Sequence, residues 1–295
     1  MATNFTNENV KQTVVEAFFE GVHKVPETWA DYMDVRRDDI ADLRISPITG
    51  VSEIGVWTGG DLPVQELDAL DPQAVTYTKF GVQVRVDKYD VKDVPESTNR
   101  LPQRIGTAVA QTYAKRAATV LNNAFTTATT SYDGLALCSA SHTVKTGGTR
   151  SNLLTSALDT TAIMAGIRTF RKWVDYQGLP FDVVAMGGFY LVIPPDLEEA
   201  VGQALGSSVT SSAMQLNMAG SYDIDVRINP FLTDTNNAFL VSKSMTPLIF
   251  WERSAVDLVV DVDPDSKALK YSLDFAIAAA VGAIPDGIVG YSVAP

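Results

Sequence analysis

Large apolar residues recur four apart near the start of the chain, at Val10, Val14, Phe18 and Val22, with Val15 and Phe19 beside them. That period predicts an amphipathic helix over residues 4–25, capped by Thr6 or Asn7 and ended by Pro26. Two phenylalanines on so short a helix need a surface to cover, either the chain's own core or another chain. Residues 43–92 read as two strands joined by a long excursion. The return strand alternates on one parity at Val75 and Tyr77 and on the other at Phe80, Val82, Val84 and Val86. A slip of one residue turns side chains to the opposite face, so a bulge or bend is predicted at Lys79 and Phe80. The excursion holds Trp57, Gly59, Gly60, Pro63 and Pro72 with several acids, Asp61 and Glu66 among them. It has too few apolar residues for a core of its own. A hairpin of that kind is unstable alone and is expected to lie on something, mobile until it does.

Residues 99–127 carry the strongest helical stripe, formed by Ile105, Val109, Tyr113, Ala117, Leu121 and Phe125, with Pro102 near the first turn. Its alanines raise helix propensity and let a sheet approach closely. Residues 133–152 read as a Ser, Thr and Gly loop. A second amphipathic helix is predicted over 157–175, with Ile163, Ile167, Phe170 and Val174 on one face and Gly178 as its C-cap. Residues 183–186 and 190–193 read as short buried strands. Pro194 and Pro195 lead into an acidic first turn at Asp196, Glu198 and Glu199, a favourable helix start. Residues 206–221 are a loop rich in Ser, Gly and Met, including Met214 and Met218. The remainder alternates in strand fashion, with a turn at Asp263, Pro264, Asp265 and Ser266 between two long strands. The order of elements is α+β rather than repeated βαβ units.

A chain of 295 residues buries about three quarters of its unfolded surface and suits one large domain or two modest ones. Its formal net charge is −12. Affinity for nucleic acid rests on clustered cations, and no such cluster stands out, so DNA binding as the main function is disfavoured. An acidic wall would not adhere to polyanions. The single cysteine, Cys138, excludes an intramolecular disulfide. The N-terminus has no charged-then-apolar signal pattern, and the longest apolar run, around 275–284, is too short for a membrane span. Soluble production in a cytoplasm is expected.

Candidate chemistry is sparse. There are two histidines, His23 and His142. Cys138 and His142 lie close together on a loop, but a Cys-His dyad needs a third group to orient the imidazole and donors for an oxyanion. No such group is evident nearby, and the pair reads as a small buried thiol and a surface histidine. Asp261, Asp263 and Asp265 resemble the opening of a calcium loop, yet Ser266 stands at the required glycine and Ser272 at the bidentate glutamate, so a solvated hairpin tip is preferred. There is no Walker loop, dinucleotide fingerprint or nucleophile elbow. Trp57 and Trp251 read as core or interface. No cofactor or metal is expected, although a carboxylate pair in a cleft stays open.

Three groups of motifs occur in a set order: DGLALCSASH (133–142) followed by GGTRSNLL (147–154); RTFRKWVDYQGLP (168–180) followed by LVIPPDLEEAV (191–201); then INPFLTD and TPLIFWER before the last strands. In order and spacing they resemble a tailed-bacteriophage major capsid protein, near the Mu-like major head subunits, over roughly residues 40–295. Residues 1–40 match only in character. The resemblance implies an α+β, HK97-type capsid fold and a non-catalytic subunit that assembles into an icosahedral shell around phage DNA. It implies an N-terminal arm (1–42), an extended hairpin or E-loop with its base (43–92), a peripheral domain with a spine helix (93–149), an axial domain (150–245) and return strands of the peripheral domain (246–295). The implied partners are the chain itself in hexamers and pentamers, scaffolding and portal proteins, enclosed double-stranded DNA without sequence-specific binding, and a possible decoration protein, with no membrane. Implied subunit-interface candidates are Phe18, Phe19, Trp57, Asp61, Glu66, Met214 and Met218. A virion location, after synthesis in a host bacterium, goes with this reading. Two alternatives stay open: an encapsulin-like nanocompartment shell, and an enzyme using a carboxylate pair.

Overall fold

An apolar stripe on a long helix must be covered, and the stripe predicted over 99–127 organises the protein. The computed structural model describes residues 8–40, 43–45, 62, 64, 70, 72–86, 97–145, 147–206, 209–210, 215–216, 219–263, 268–281 and 284–292. In chain order the elements begin with α1 (Glu8–His23), β1 (Asp34–Arg37), β2 (Leu43–Ile45), β3 (Gln73–Val75), β4 (Thr78–Val86) and α2 (Ser97–Asn122). Next come β5 (His142–Thr143), β6 (Thr149–Arg150), β7 (Leu153–Leu154), α3 (Thr160–Arg171), β8 (Phe189–Ile193) and α4 (Glu198–Gly206). The chain closes with β9 (Val209–Thr210), β10 (Gln215–Leu216), β11 (Ile224–Ile228), β12 (Ala238–Ser242), β13 (Leu248–Val262), β14 (Leu269–Val281) and β15 (Ile288–Tyr291).

Ile105, Val109, Ala117 and Leu121 of α2 are all buried. They face a four-stranded sheet of order β1-β13-β14-β4, in which β13 and β14 are the long antiparallel pair. Aromatic rings join helix to sheet: Trp29 lies 4.5 Å from Phe250, Tyr113 lies 5.6 Å from Phe250 and 5.2 Å from Phe275, and Phe80 stacks on Phe275 at 5.2 Å. The Tyr113 hydroxyl donates to Glu252 Oε1 at 2.9 Å, and Glu252 Oε2 accepts from Arg37 Nε at 2.6 Å. Helix α1 lies on α2 where two glycines meet. A Cβ on Gly21 would overlap the Gln103 carbonyl, and one on Gly106 would overlap the Phe18 carbonyl.

The second sheet has order β11-β8-β12-β15-β7 and is buried on both faces. Alternation divides it. Val192, Phe239, Val241 and Ile288 join the core under α2, while Leu191, Ile193, Leu240, Val289 and Tyr291 join a second core with Ile163, Ile167 and Phe170 of α3. Helix α3 starts at Asp159, whose Oδ1 accepts the Ala162 N–H at 2.6 Å.

Several expectations change. The phase slip between Tyr77 and Phe80 is not a bulge at Lys79. β3 ends at Val75 in a small sheet with β2, and β4 begins at Thr78 in register with β14, so the parity changes where the chain leaves one sheet for another. The irregularities of the long sheet lie instead in β13, between Glu252 and Asp257. Residues 183–186 form a 3₁₀ turn, not a strand, because the Asp182 side chain accepts the Val184 N–H at 3.0 Å. Gly178 does not cap α3, whose C-cap is Lys172. It takes φ +89° in the turn between Val174 and Pro180. The last strand, β15, joins the five-stranded sheet rather than returning to the four-stranded one.

Val109→Asp would bury an unpaired carboxylate at a cost of several kcal/mol. Soluble expression and a cooperative thermal melt are expected to be lost. Lys115→Ala, on the exposed side of α2, should change stability by no more than about 0.5 kcal/mol. Equal tolerance of the two changes would show that the helix face is wrongly assigned.

Candidate assembly surfaces

The loop after α2 concentrates the chemistry singled out from sequence. His142 is fully buried, not a surface residue. Its Nδ1 lies 2.9 Å from Asp133 Oδ2 and its Nε2 lies 3.2 Å from the Leu137 carbonyl oxygen. Asp133 also accepts from Ser131 Oγ at 2.5 Å and from the backbone N–H groups of Leu135 and Thr143. A third group next to the imidazole therefore exists. The signal was in the motif, at its opening Asp133, nine residues before the histidine. The arrangement is nevertheless a clasp: both ring nitrogens are occupied by protein oxygens and the ring has no exposure. Burial pushes the Cys138 thiol well above its usual range, away from the thiolate a nucleophile needs. Cys138 packs under Gly290, where any Cβ would overlap its sulfur.

A second knot fixes the same loop to the second core. Arg150 Nη1 lies 2.7 Å from Asp286 Oδ1 and donates to the Val174 carbonyl at 2.7 Å, with the guanidinium 5.0 Å over the Trp173 ring. Trp173 Nε1 donates to Asp286 Oδ1 at 3.1 Å. Burial raises the Asp286 carboxyl above its ordinary value, against the opposing pull of Arg150. No cluster among the described residues has the make-up to hold a metal ion. Of the calcium-like acids, Asp263 is engaged by Arg85 at 2.7 Å.

The outer surface is where candidates for assembly lie. The two phenylalanines of α1 part company: Phe18 is fully buried in the core of its own chain, and Phe19 is 47% exposed. Phe18 is therefore unavailable to a neighbour. Trp57, Asp61, Glu66, Met214 and Met218 lie outside the described residues. Within the hairpin segment, Leu62 is 71% and Val64 89% exposed. The sequence reading singled out Trp57 in this segment and neither of these. An ion-pair chain, Asp31–Arg227–Asp225–Lys243–Asp223, runs beside Tyr190 and ties the turn after α1 to the second sheet. Both cations lie over the Tyr190 ring, Arg227 at 5.2 Å and Lys243 at 5.3 Å.

The family model described as phage capsid protein matches residues 72–290, which contain the spine helix α2, the four-stranded sheet except β1, nearly all of the five-stranded sheet and the clasped loop. The chain belongs to the phage capsid protein family. The match is to that general model and does not specify a Mu-like head subunit. Solved capsids share the fold at low identity. The cyanophage P-SCSP1u capsid is 13% identical with a TM-score of 0.59, covering 90% of this chain and 88% of the other. A virus-like particle from Pyrococcus furiosus is 12% identical with a TM-score of 0.57, covering 95% and 98%. The capsid of a native GTA particle is 12% identical with a TM-score of 0.57, covering 92% of each chain. No curated protein matches in sequence. The capsid protein has the α+β, HK97-type fold and is a structural, shell-forming component of a virion. Among the described residues, no helix is long and apolar enough to cross a membrane.

The clasp makes a test. His142→Ala removes one of the buried Asp133 carboxylate's hydrogen-bond partners and leaves the Leu137 carbonyl short of one, a change of the kind that costs about 1 to 3 kcal/mol. A clear fall in melting temperature is expected, where a surface histidine would give none. Hydrogen bonds from Ser131 and His142 outweigh burial and hold the Asp133 carboxyl below its ordinary 3.8. A depressed carboxyl stabilises the fold above the unfolded value, and that contribution is lost as pH falls through the folded one. The stability deficit of Asp133→Asn, read from melts against pH, should therefore shrink below 3.8. A deficit independent of pH would refute the clasp.

Proposed function

We propose that this capsid protein is the major head subunit, closing an icosahedral shell of hexamers and pentamers around double-stranded DNA, and that it catalyses no reaction. The observation that carries the reading is the exposure of Leu62 and Val64, which belong to none of the apolar cores. Two large apolar side chains exposed two residues apart begin an apolar patch of the kind that marks an interaction surface. Residues 43–92 are then the E-loop and its base, with Trp57, Asp61 and Glu66 set against the next subunit. Residues 1–42 are the arm and 93–149 the spine-helix part of the peripheral domain; 150–245, with the last strand β15, make most of the axial domain, and the long strands β13 and β14 are the return strands of the peripheral domain. Phe19 faces a neighbour, and Met214 and Met218 lie toward the capsomer centre. Scaffolding and portal proteins complete assembly in the host cytoplasm, with a decoration protein as a possible addition. A nanocompartment shell of the same fold would need an enclosed enzyme, and the family match favours a phage head.

Ordering a residue costs roughly 1 to 2 kcal/mol of backbone entropy, which this excursion cannot recover by packing on itself. Replacing residues 56–70 by a short Gly-Ser turn is expected to leave circular dichroism and the thermal melt of the subunit unchanged. Sedimentation should show shell formation blocked or weakened. Normal shells from the shortened protein would refute the hairpin's role in assembly, and a collapsed subunit would place it in the core.

A further inference from the structure

Charge is distributed unevenly in this acidic chain. The net charge is −12, yet α2 carries Arg100, Arg104, Lys115 and Arg116 and no acid, and no acid occurs from Ser97 to Tyr132. Arg100, Arg104, Ala108, Gln111 and Lys115 are its exposed positions. Arg104 and Lys115 are eleven residues apart, about three turns, so they share one face at about 16 Å separation along the axis. Neither side chain has an ion pair or hydrogen bond among the described residues. The neighbouring acid on α1, Glu20, is already engaged by Lys24 at 3.5 Å and Gln103 at 2.7 Å.

We infer that the exposed face of α2 lines the inside of the head and contacts the phosphate backbone of packaged duplex DNA through Arg104 and Lys115. The inference rests on the DNA-filled head proposed above. The composition of the face selects the partner. Protein interfaces draw their energy from buried aromatic and large apolar anchors and are poor in lysine at their centres. This stripe offers nothing apolar larger than Ala108. Phosphate contact needs only cations and polar donors spaced along a rod, and carries no sequence information. The contribution of one subunit is small, and repetition over the shell multiplies it.

The test uses wild-type particles, so no variant has to fold. DNA-filled heads and DNA-free shells are treated with acetic anhydride, and modification of Lys115 is read by mass spectrometry against exposed Lys172 at the end of α3. Lys115 should be modified several-fold less in filled heads, and the difference should vanish after the heads are opened and treated with nuclease. Equal modification in filled and empty particles overturns the inference. If Lys115 is reactive in both, DNA does not reach it; if it is protected in both, a protein segment covers it. As a second readout, Arg104→Glu with Lys115→Glu is expected to give normal shells that retain less DNA; full retention would also overturn the inference. Failure of the head reading itself looks different, because then either no shells form or no shell contains DNA.

Discussion

The close seating of α2 against the long strands is the contact on which the subunit depends. Alanines at 117 and 118 have no exposure, and their small size lets the helix backbone come close to the sheets. Tyr113 fills the space farther along, reaching Trp29, Phe250 and Phe275 at once. Aromatic pairs of this kind add about 0.5 to 1.5 kcal/mol each beyond the area they bury. The tyrosine hydroxyl then fixes Glu252, which in turn holds Arg37 at the end of β1. One helix thus positions the four-stranded sheet, the first edge strand and, through Gly21 and Gly106, helix α1.

That arrangement bears on assembly. With Phe18 in its own core, α1 belongs to the subunit rather than to its neighbour. Leu62 and Val64 stand outside the apolar cores, so contacts they make need not disturb the packing described within them. The clasp at Asp133 and His142 and the knot at Arg150 and Asp286 serve the same end. They hold the Ser- and Gly-rich loop after α2 as a rigid connection between the two cores, using buried polar pairs whose loss is costly.

The sequence revealed whatever rests on local periodicity. The stripe of α2, the face of α3 with Ile163 and Phe170, and the long strands β13 and β14 follow from residues a few positions apart. The capsid family was legible too, from motif order. What escaped depends on partners distant in sequence. Whether Phe18 or Phe19 would be buried is decided by α2, some ninety residues away. The Tyr77 parity change needed knowledge of two different sheets. A local side-chain cap, Asp182 on Val184, overrode the strand propensity of Val183 and Val184. His142 looked exposed because its polar loop is buried by Asp133 and Asn152 rather than by apolar neighbours.

The central proposal is that the subunit uses the hairpin segment that bears exposed Leu62 and Val64 to build a closed shell. Electron microscopy of the purified full chain, expressed alone and with the scaffolding protein of its phage, measures this most directly. The account requires closed particles with hexamers and pentamers, each subunit keeping α1 on its own α2. A protein that stays monomeric under both conditions, or a shell in which α1 crosses to a neighbour, would contradict it.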